Sequence, residues 1–119
     1  GNKTRANTCS STNPTMRQLK TKEEVDTEVK AAGGKLMVID FWATWCGPCQ
    51  KIGPEFQKLS EKYTDVVFFK VDVDENEDTA SQYNIESMPA FVFIKNGKEV
   101  HRVVGAIAAN IEKGINEHK

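Results

Sequence analysis

The chain has 119 residues, 39% of them hydrophobic, enough to fill one packed core and hardly two. Sixteen Lys and Arg stand against 17 Asp and Glu, a formal charge of −1 that offers no basic footprint for nucleic acid. No apolar run approaches the roughly 20 residues that cross a bilayer, and the first residues lack the apolar segment of a secretory signal, so no membrane association is expected.

The charge is unevenly spread. Residues 1–22 hold Lys3, Arg5, Arg17, Lys20 and Lys22 with no acid, which leaves 11 basic against 17 acidic residues in the remainder, a charge of −6. Residues 1–15 are rich in Asn, Thr, Ser and Pro and offer almost nothing to bury, so they read as a disordered leader or a non-native extension; a transit-peptide remnant is the alternative. Met16 is a plausible start for a single domain over 16–119. Cys9, in the leader, reads as an exposed thiol prone to accidental intermolecular pairing rather than turnover.

Helix-like and strand-like segments alternate from Thr21. That residue can cap a helix with Glu23 and Glu24 in its first turn, Val25 and Val29 on one face, and Gly33-Gly34 at its end. Residues 36–43 read as a nearly continuous buried strand, and 48–63 as a long helix with Ile52, Phe56, Leu59 and Tyr63 at helical spacing. Pro54 lies inside that pattern and removes a backbone donor, which predicts a bend. A further strand at 66–71 is followed by an acidic stretch over 72–78 and a short helix near 79–83. Strands at 90–94 and 99–104 flank Asn96-Gly97, a hairpin signal. A last helix over 108–117 is expected to turn Ile107, Ile111 and Ile115 inward. Buried strands need cover on both faces and the intervening helices supply it, so the pattern predicts a three-layer α/β/α domain without setting the strand order.

The most informative segment is Trp45-Cys46-Gly47-Pro48-Cys49, where a strand hands over to a helix. At the helix N-terminus, unpaired backbone N–H groups and the helix dipole favour a thiolate at Cys46, while Cys49 lies one turn inward, within reach of a mixed disulfide. An inert local disulfide or half of a metal site are the competing readings. A tetrahedral thiolate site wants about four ligands, and the further Cys and His residues, Cys9, His101 and His118, form no second close pair. Gly47 admits close approach by another backbone, and Pro48 stiffens the first turn without removing a needed donor.

WCGPC, preceded by VIDFWAT and followed downstream by SMPAF, closely resembles the thioredoxin family, and the likeness runs from about Met16 to Lys119. Five separated features agree: Asp40 in its strand, the 45–49 motif, Pro54 within the next helix, Met88-Pro89, and Gly105 after the last apolar run. The resemblance implies a central mixed sheet, its last two strands antiparallel, with the dithiol at the carboxyl end of a middle strand. It assigns Cys46 as nucleophile, Cys49 as resolving thiol, Asp40 as the buried carboxylate that manages the proton, and Pro89 as a cis-proline facing the disulfide. It places Gly105 with Met88 along a protein-binding groove.

The residues also carry readings of their own. Asp40 either points to solvent at the strand end or points inward, where desolvation raises its pKa into a range useful for exchanging the Cys49 proton. Lys70 is either its charged partner or a snorkelling strand residue. Trp42 reads as a core aromatic beside the active-site loop, and Trp45 as part of an exposed apolar rim. Most X-Pro bonds are trans, so the cis assignment at Met88-Pro89 rests on the resemblance; a cis bond would expose the Met88 backbone to an extended substrate. Gly105 alone reads equally well as a strand-ending turn, and His101 as an ordinary strand residue. Gln50 stands where the family often has Lys or Arg, and Asn76, Tyr83 and Ser87 stand where many animal relatives have accessory cysteines, which argues against accessory disulfide regulation.

The expected function is a monomeric protein-disulfide reductase with no bound cofactor. NADPH is expected to act only through a separate flavoprotein, thioredoxin reductase, since the chain has no Gly-rich nucleotide fingerprint. Expected substrates are protein disulfides, peroxiredoxins among them. The expected compartment is cytoplasmic, with organellar targeting by the basic leader as the alternative. A redox-gated binding module and an oxidase or isomerase of an oxidising compartment are the competing functions.

Overall fold

The computed structural model describes residues 16–119; the leader over 1–15 and Cys9 lie outside the described residues. In chain order the elements are α1 (Lys22–Ala32), β1 (Met37–Trp42), α2 (Gly47–Lys62), β2 (Val67–Asp72), α3 (Glu77–Gln82), β3 (Ala90–Lys95), β4 (Lys98–Val104) and α4 (Ala108–His118). The strands form one mixed sheet in the order β2-β1-β3-β4. β1 runs parallel to β2 and antiparallel to β3, and β3 antiparallel to β4. The three-layer α/β/α arrangement is therefore present, with the expected antiparallel final pair.

Strand alternation sorts the core into two halves. Val38, Phe68, Phe91, Phe93 and Val103 face Ile52, Phe56 and Leu59 of α2 and Ile111 and Ile115 of α4. Met37, Ile39, Phe41, Phe69, Val71 and Val92 face the opposite way, against Val25 of α1 and the partly buried Tyr83 and Ile85. β1 and β3 are central and covered on both faces, which is why they read as continuous apolar runs.

Local signals explain the ends of the elements. Thr21 Oγ1 accepts from Glu24 N at 3.1 Å and starts α1, which ends at Gly33 with φ +55°. Asn96 and Gly97, both at positive φ, turn the β3–β4 hairpin. Pro54 lies within α2 as expected.

Two features depart from the sequence expectation. Ile107 does not face inward: it is the N-cap of α4 and about half exposed, so the buried stripe of that helix begins at Ile111. The segment just before α1 also pairs with the sheet edge, as Lys70 N donates to Arg17 O at 3.1 Å and Leu19 N to Lys70 O at 2.9 Å. Met16 and Leu19, three residues apart in this extended stretch, enter opposite halves of the core.

A redox site at the carboxyl end of the central strand

β1 ends at Trp42, Ala43 is fully buried, and the chain turns through Thr44 and Trp45 into α2. Cys46 is the N-cap of that helix: Cys49 N donates to Cys46 Sγ at 3.2 Å. The two cysteines are joined as a disulfide with Cα atoms 5.3 Å apart. Both are largely buried, packed with Ala43 and against the partly buried Trp42, Val73 and Met88. A sulfur at this position faces the unpaired donors of the first helical turn, which stabilises it when it is released as a thiolate. Pro48 occupies the first turn, where no donor is missed, and Gly47 has no neighbour near the position of a Cβ.

Trp45 is 68% exposed, the most exposed large apolar side chain on the described surface. Its indole Nε1 donates to Asp74 Oδ2 at 2.9 Å, a tether from the acidic stretch after β2. Asp72 Oδ1 shapes that stretch by accepting from Asp74 N at 2.9 Å and Glu75 N at 3.4 Å. Sequence reading passed over Asp74 because it stood in what looked like a uniformly solvated acidic run.

The Met88-Pro89 bond is cis. Gly105 N donates to Pro89 O at 2.9 Å, so Gly105 and the cis-proline are neighbours in space. Gly105 has φ +112°, and nothing lies within 4 Å of where its Cβ would be. The glycine ends β4 in a conformation that side chains resist, and it leaves open space beside Pro89.

Asp40 points inward. It is 1% exposed, lies on the sheet face covered by α2, and neither carboxylate oxygen has a hydrogen-bond partner among the described residues. Burial pushes its carboxyl up to about 7, against the Lys70 charge, which lowers it. Asp40 and Lys70 are register partners across the β1–β2 pair. The Lys70 ammonium sits 4.6 Å from the centre of the Trp42 ring, a cation–π contact. Lys70 thus acts on Asp40 through its charge while its ammonium rests on an aromatic face. Trp42 is partly buried against the cluster that holds both cysteines, and its Nε1 donates to Gln18 Oε1 at 3.1 Å. Gln50 Nε2 donates to Thr44 O at 3.2 Å, in the turn that leads into α2.

The site joins an exposed aromatic, an open edge beside a cis-proline, a disulfide at a helix start, and a buried carboxyl in the strand before it. Such an arrangement can exchange a disulfide with an extended partner and store one proton. Asn76 and Tyr83, two of the positions where many animal relatives are expected to carry accessory cysteines, have structural duties: Asn76 caps α3 and donates to Leu19 O at 3.1 Å, and Tyr83 packs against Phe41.

Comparison with known proteins agrees with this geometry. The family model described as thioredoxin matches residues 16–117. Thioredoxin-2 of Saccharomyces cerevisiae is 51% identical over 98 residues, which is 82% of this chain and 93% of that relative. The X-ray structure of Fasciola hepatica thioredoxin superposes with a TM-score of 0.86 at 44% identity, covering 87% of this chain and 100% of that one. A chain from a structural study of the thiol resolving mechanism in yeast mitochondrial 1-Cys peroxiredoxin via glutathione/thioredoxin systems superposes with a TM-score of 0.82 at 37% identity, covering 90% of this chain and 99% of its own.

Proposed function

The chain belongs to the thioredoxin family, and from that premise we propose how its dithiol–disulfide exchange through Cys46 and Cys49 is run, recycled and employed. The Cys46 thiolate attacks one sulfur of a protein disulfide, forming a mixed disulfide and releasing the other sulfur as a thiolate. Asp40 takes the Cys49 proton. The Cys49 thiolate then attacks Cys46 Sγ, closing the 46–49 disulfide and releasing the second substrate thiolate. Two electrons pass from the dithiol to the substrate.

The observation that carries this reading is the pairing of a disulfide at the start of α2 with an inward, buried Asp40 that has no hydrogen-bond partner among the described residues, in the strand before it. Trp45, the Met88 backbone before Pro89, and Gly105 form the docking edge, on which an extended substrate adds strand-like hydrogen bonds. Gly47 and Pro48 keep the first turn open and stiff. Trp42 and Lys70 support Asp40.

Recycling is by a separate NADPH-dependent flavoprotein, thioredoxin reductase, which returns two electrons to the disulfide. Substrates are protein disulfides. Peroxiredoxins are proposed among them because a related chain was solved in a study of peroxiredoxin thiol resolution. Such turnover suits a reducing compartment, here the cytoplasm, with the protein working as a monomer.

Reductase-coupled NADPH consumption with an insulin-like disulfide substrate tests the proposal. Wild type should turn over, and Cys46→Ser should not. A Cys49→Ser variant should accumulate a Cys46-linked adduct by intact mass. An adduct formed by Cys46→Ser and not by Cys49→Ser would reverse the assigned roles.

A further inference from the structure

We propose that Gln18 is a positioning residue for the Asp40 proton chemistry: its side-chain amide holds the Trp42 ring, and the ring holds the Lys70 ammonium beside Asp40. The inference rests on the reading of Asp40 as the group that manages the Cys49 proton.

Four contacts form one chain. Residues 17–19 pair with the outer edge of β2, so that Gln18 is bridged in parallel to Lys70 itself. Gln18 Oε1 accepts from Trp42 Nε1 at 3.1 Å. The face of the Trp42 ring carries the Lys70 ammonium at 4.6 Å. Lys70 and Asp40 are register partners, and Trp42 follows Asp40 by two on β1, hence on the same sheet face. Trp42 also packs against the cluster that contains both cysteines. The segment before α1 thereby reaches the dithiol through one hydrogen bond and one ring.

The physical consequence follows from what Lys70 would do if the ring were released. A lysine ammonium is strongly hydrated and its stem is flexible. Without a fixed aromatic face the charge moves toward water, away from Asp40, and burial of the carboxyl goes less opposed. The other charged groups nearby do not replace it. Asp72, next on the same face of β2, is engaged with the backbone of Asp74 and Glu75. Arg17 is paired with Glu28 at 2.6 Å and lies 3.9 Å from Glu24, both on α1. The buried residues of α2 are Cys49, Ile52, Phe56, Leu59 and Ser60, none charged, and β3 presents Phe91 as the register partner of Asp40. Lys70 is the charged group that acts on Asp40.

The test is a titration of the Asp40 carboxyl by carbon-13 NMR in the oxidised full chain. Gln18→Met, which keeps the length of the side chain and removes the acceptor, should raise the midpoint above the wild-type value of about 7, by about half a pH unit. Trp42→Phe removes the same hydrogen bond from the other side and should move the midpoint in the same direction. The double variant should shift it by less than the sum of the two, because both act through one contact. A role for Gln18 in folding alone would lower the melting temperature and leave the midpoint in place. An unmoved or lowered midpoint in folded Gln18→Met, or full additivity with Trp42→Phe, would overturn the inference. Failure of the Asp40 reading itself would show elsewhere, as mixed-disulfide decay indifferent to Asp40→Asn.

Discussion

Asp40 and Glu112 carry the same functional group into opposite surroundings. Glu112, on the side of α4 that meets the end of α2, accepts from Lys62 Nζ at 2.5 Å and Tyr63 OH at 2.6 Å, and these hydrogen bonds hold its carboxyl below the usual range. Asn116 Nδ2 donates to the same Tyr63 oxygen at 3.2 Å, which completes a small polar clasp between the end of α2 and α4. Asp40 has no hydrogen-bond partner among the described residues, almost no exposed surface, and a carboxyl pushed up to about 7. A carboxylate that serves the fold is wet, paired and ionised. One buried without a protein partner costs stability, and that cost makes sense where a proton must be taken up and returned.

The largest effect should come from removing that cost. A carboxyl at about 7 in the folded chain against 3.8 when unfolded binds more protons in the native state, so stability is fully present below about pH 4 and is lost as pH rises to about 7. The loss above pH 7 is about 4 kcal/mol. Denaturant melts of Asp40→Asn should therefore show a gain of up to about 4 kcal/mol at pH 9 and no such gain at pH 3. Equal differences at both pH values would break the contrast with Glu112.

Next in size is Gly114, on the same helix as Glu112 but on its inner face. A Cβ there would meet His101 Cδ2 at 2.8 Å and Phe93 Cζ at 2.9 Å. Gly114→Ala should lose about 1–3 kcal/mol through overpacking, despite alanine's better helix propensity. Its exchange activity per folded molecule should not change. Chemical denaturation read alongside turnover checks both halves.

Lys70→Met should raise Asp40 further, since it removes the charge that opposes burial. Exchange at pH 7 should slow by about two- to threefold and recover as pH is raised. The smallest effect belongs to Glu112→Gln, expected to lower the melting temperature by no more than a few degrees. That loss should shrink in high salt, as an exposed pair is screened, while activity stays unchanged.

Much of this was legible in the sequence wherever the signal was local. The buried run ending at Trp42, the helical spacing of Ile52, Phe56 and Leu59, the Thr21 cap and the Asn96-Gly97 turn each follow from a few adjacent residues. The dithiol was legible because strand, motif and helix are contiguous. Asp40 stood out as a lone acid among apolar neighbours, although the want of any partner for it could be learned only from the fold. What sequence reading missed arises from pairing at a distance. Met16 and Leu19 are too few and too polar in setting to announce an edge segment, and nothing local links Gln18 to Trp42 or Asp74 to Trp45. Nothing local marks Gly114; its requirement comes from Phe93 of β3 and His101 of β4 packed against it. Ile107 matched the helical period of Ile111 and Ile115, yet the helix starts one residue later and leaves it outside the buried face.

The most direct test of Asp40 as the proton store for exchange is the decay of the Cys46 mixed disulfide, followed by rapid quench across pH in wild type and Asp40→Asn. In wild type the decay should accelerate as pH rises through about 7, where the Asp40 carboxyl ionises and can take the Cys49 proton. Asp40→Asn should decay at least about tenfold more slowly above that pH and lose the inflection. Identical decay at every pH in the two proteins would contradict the account.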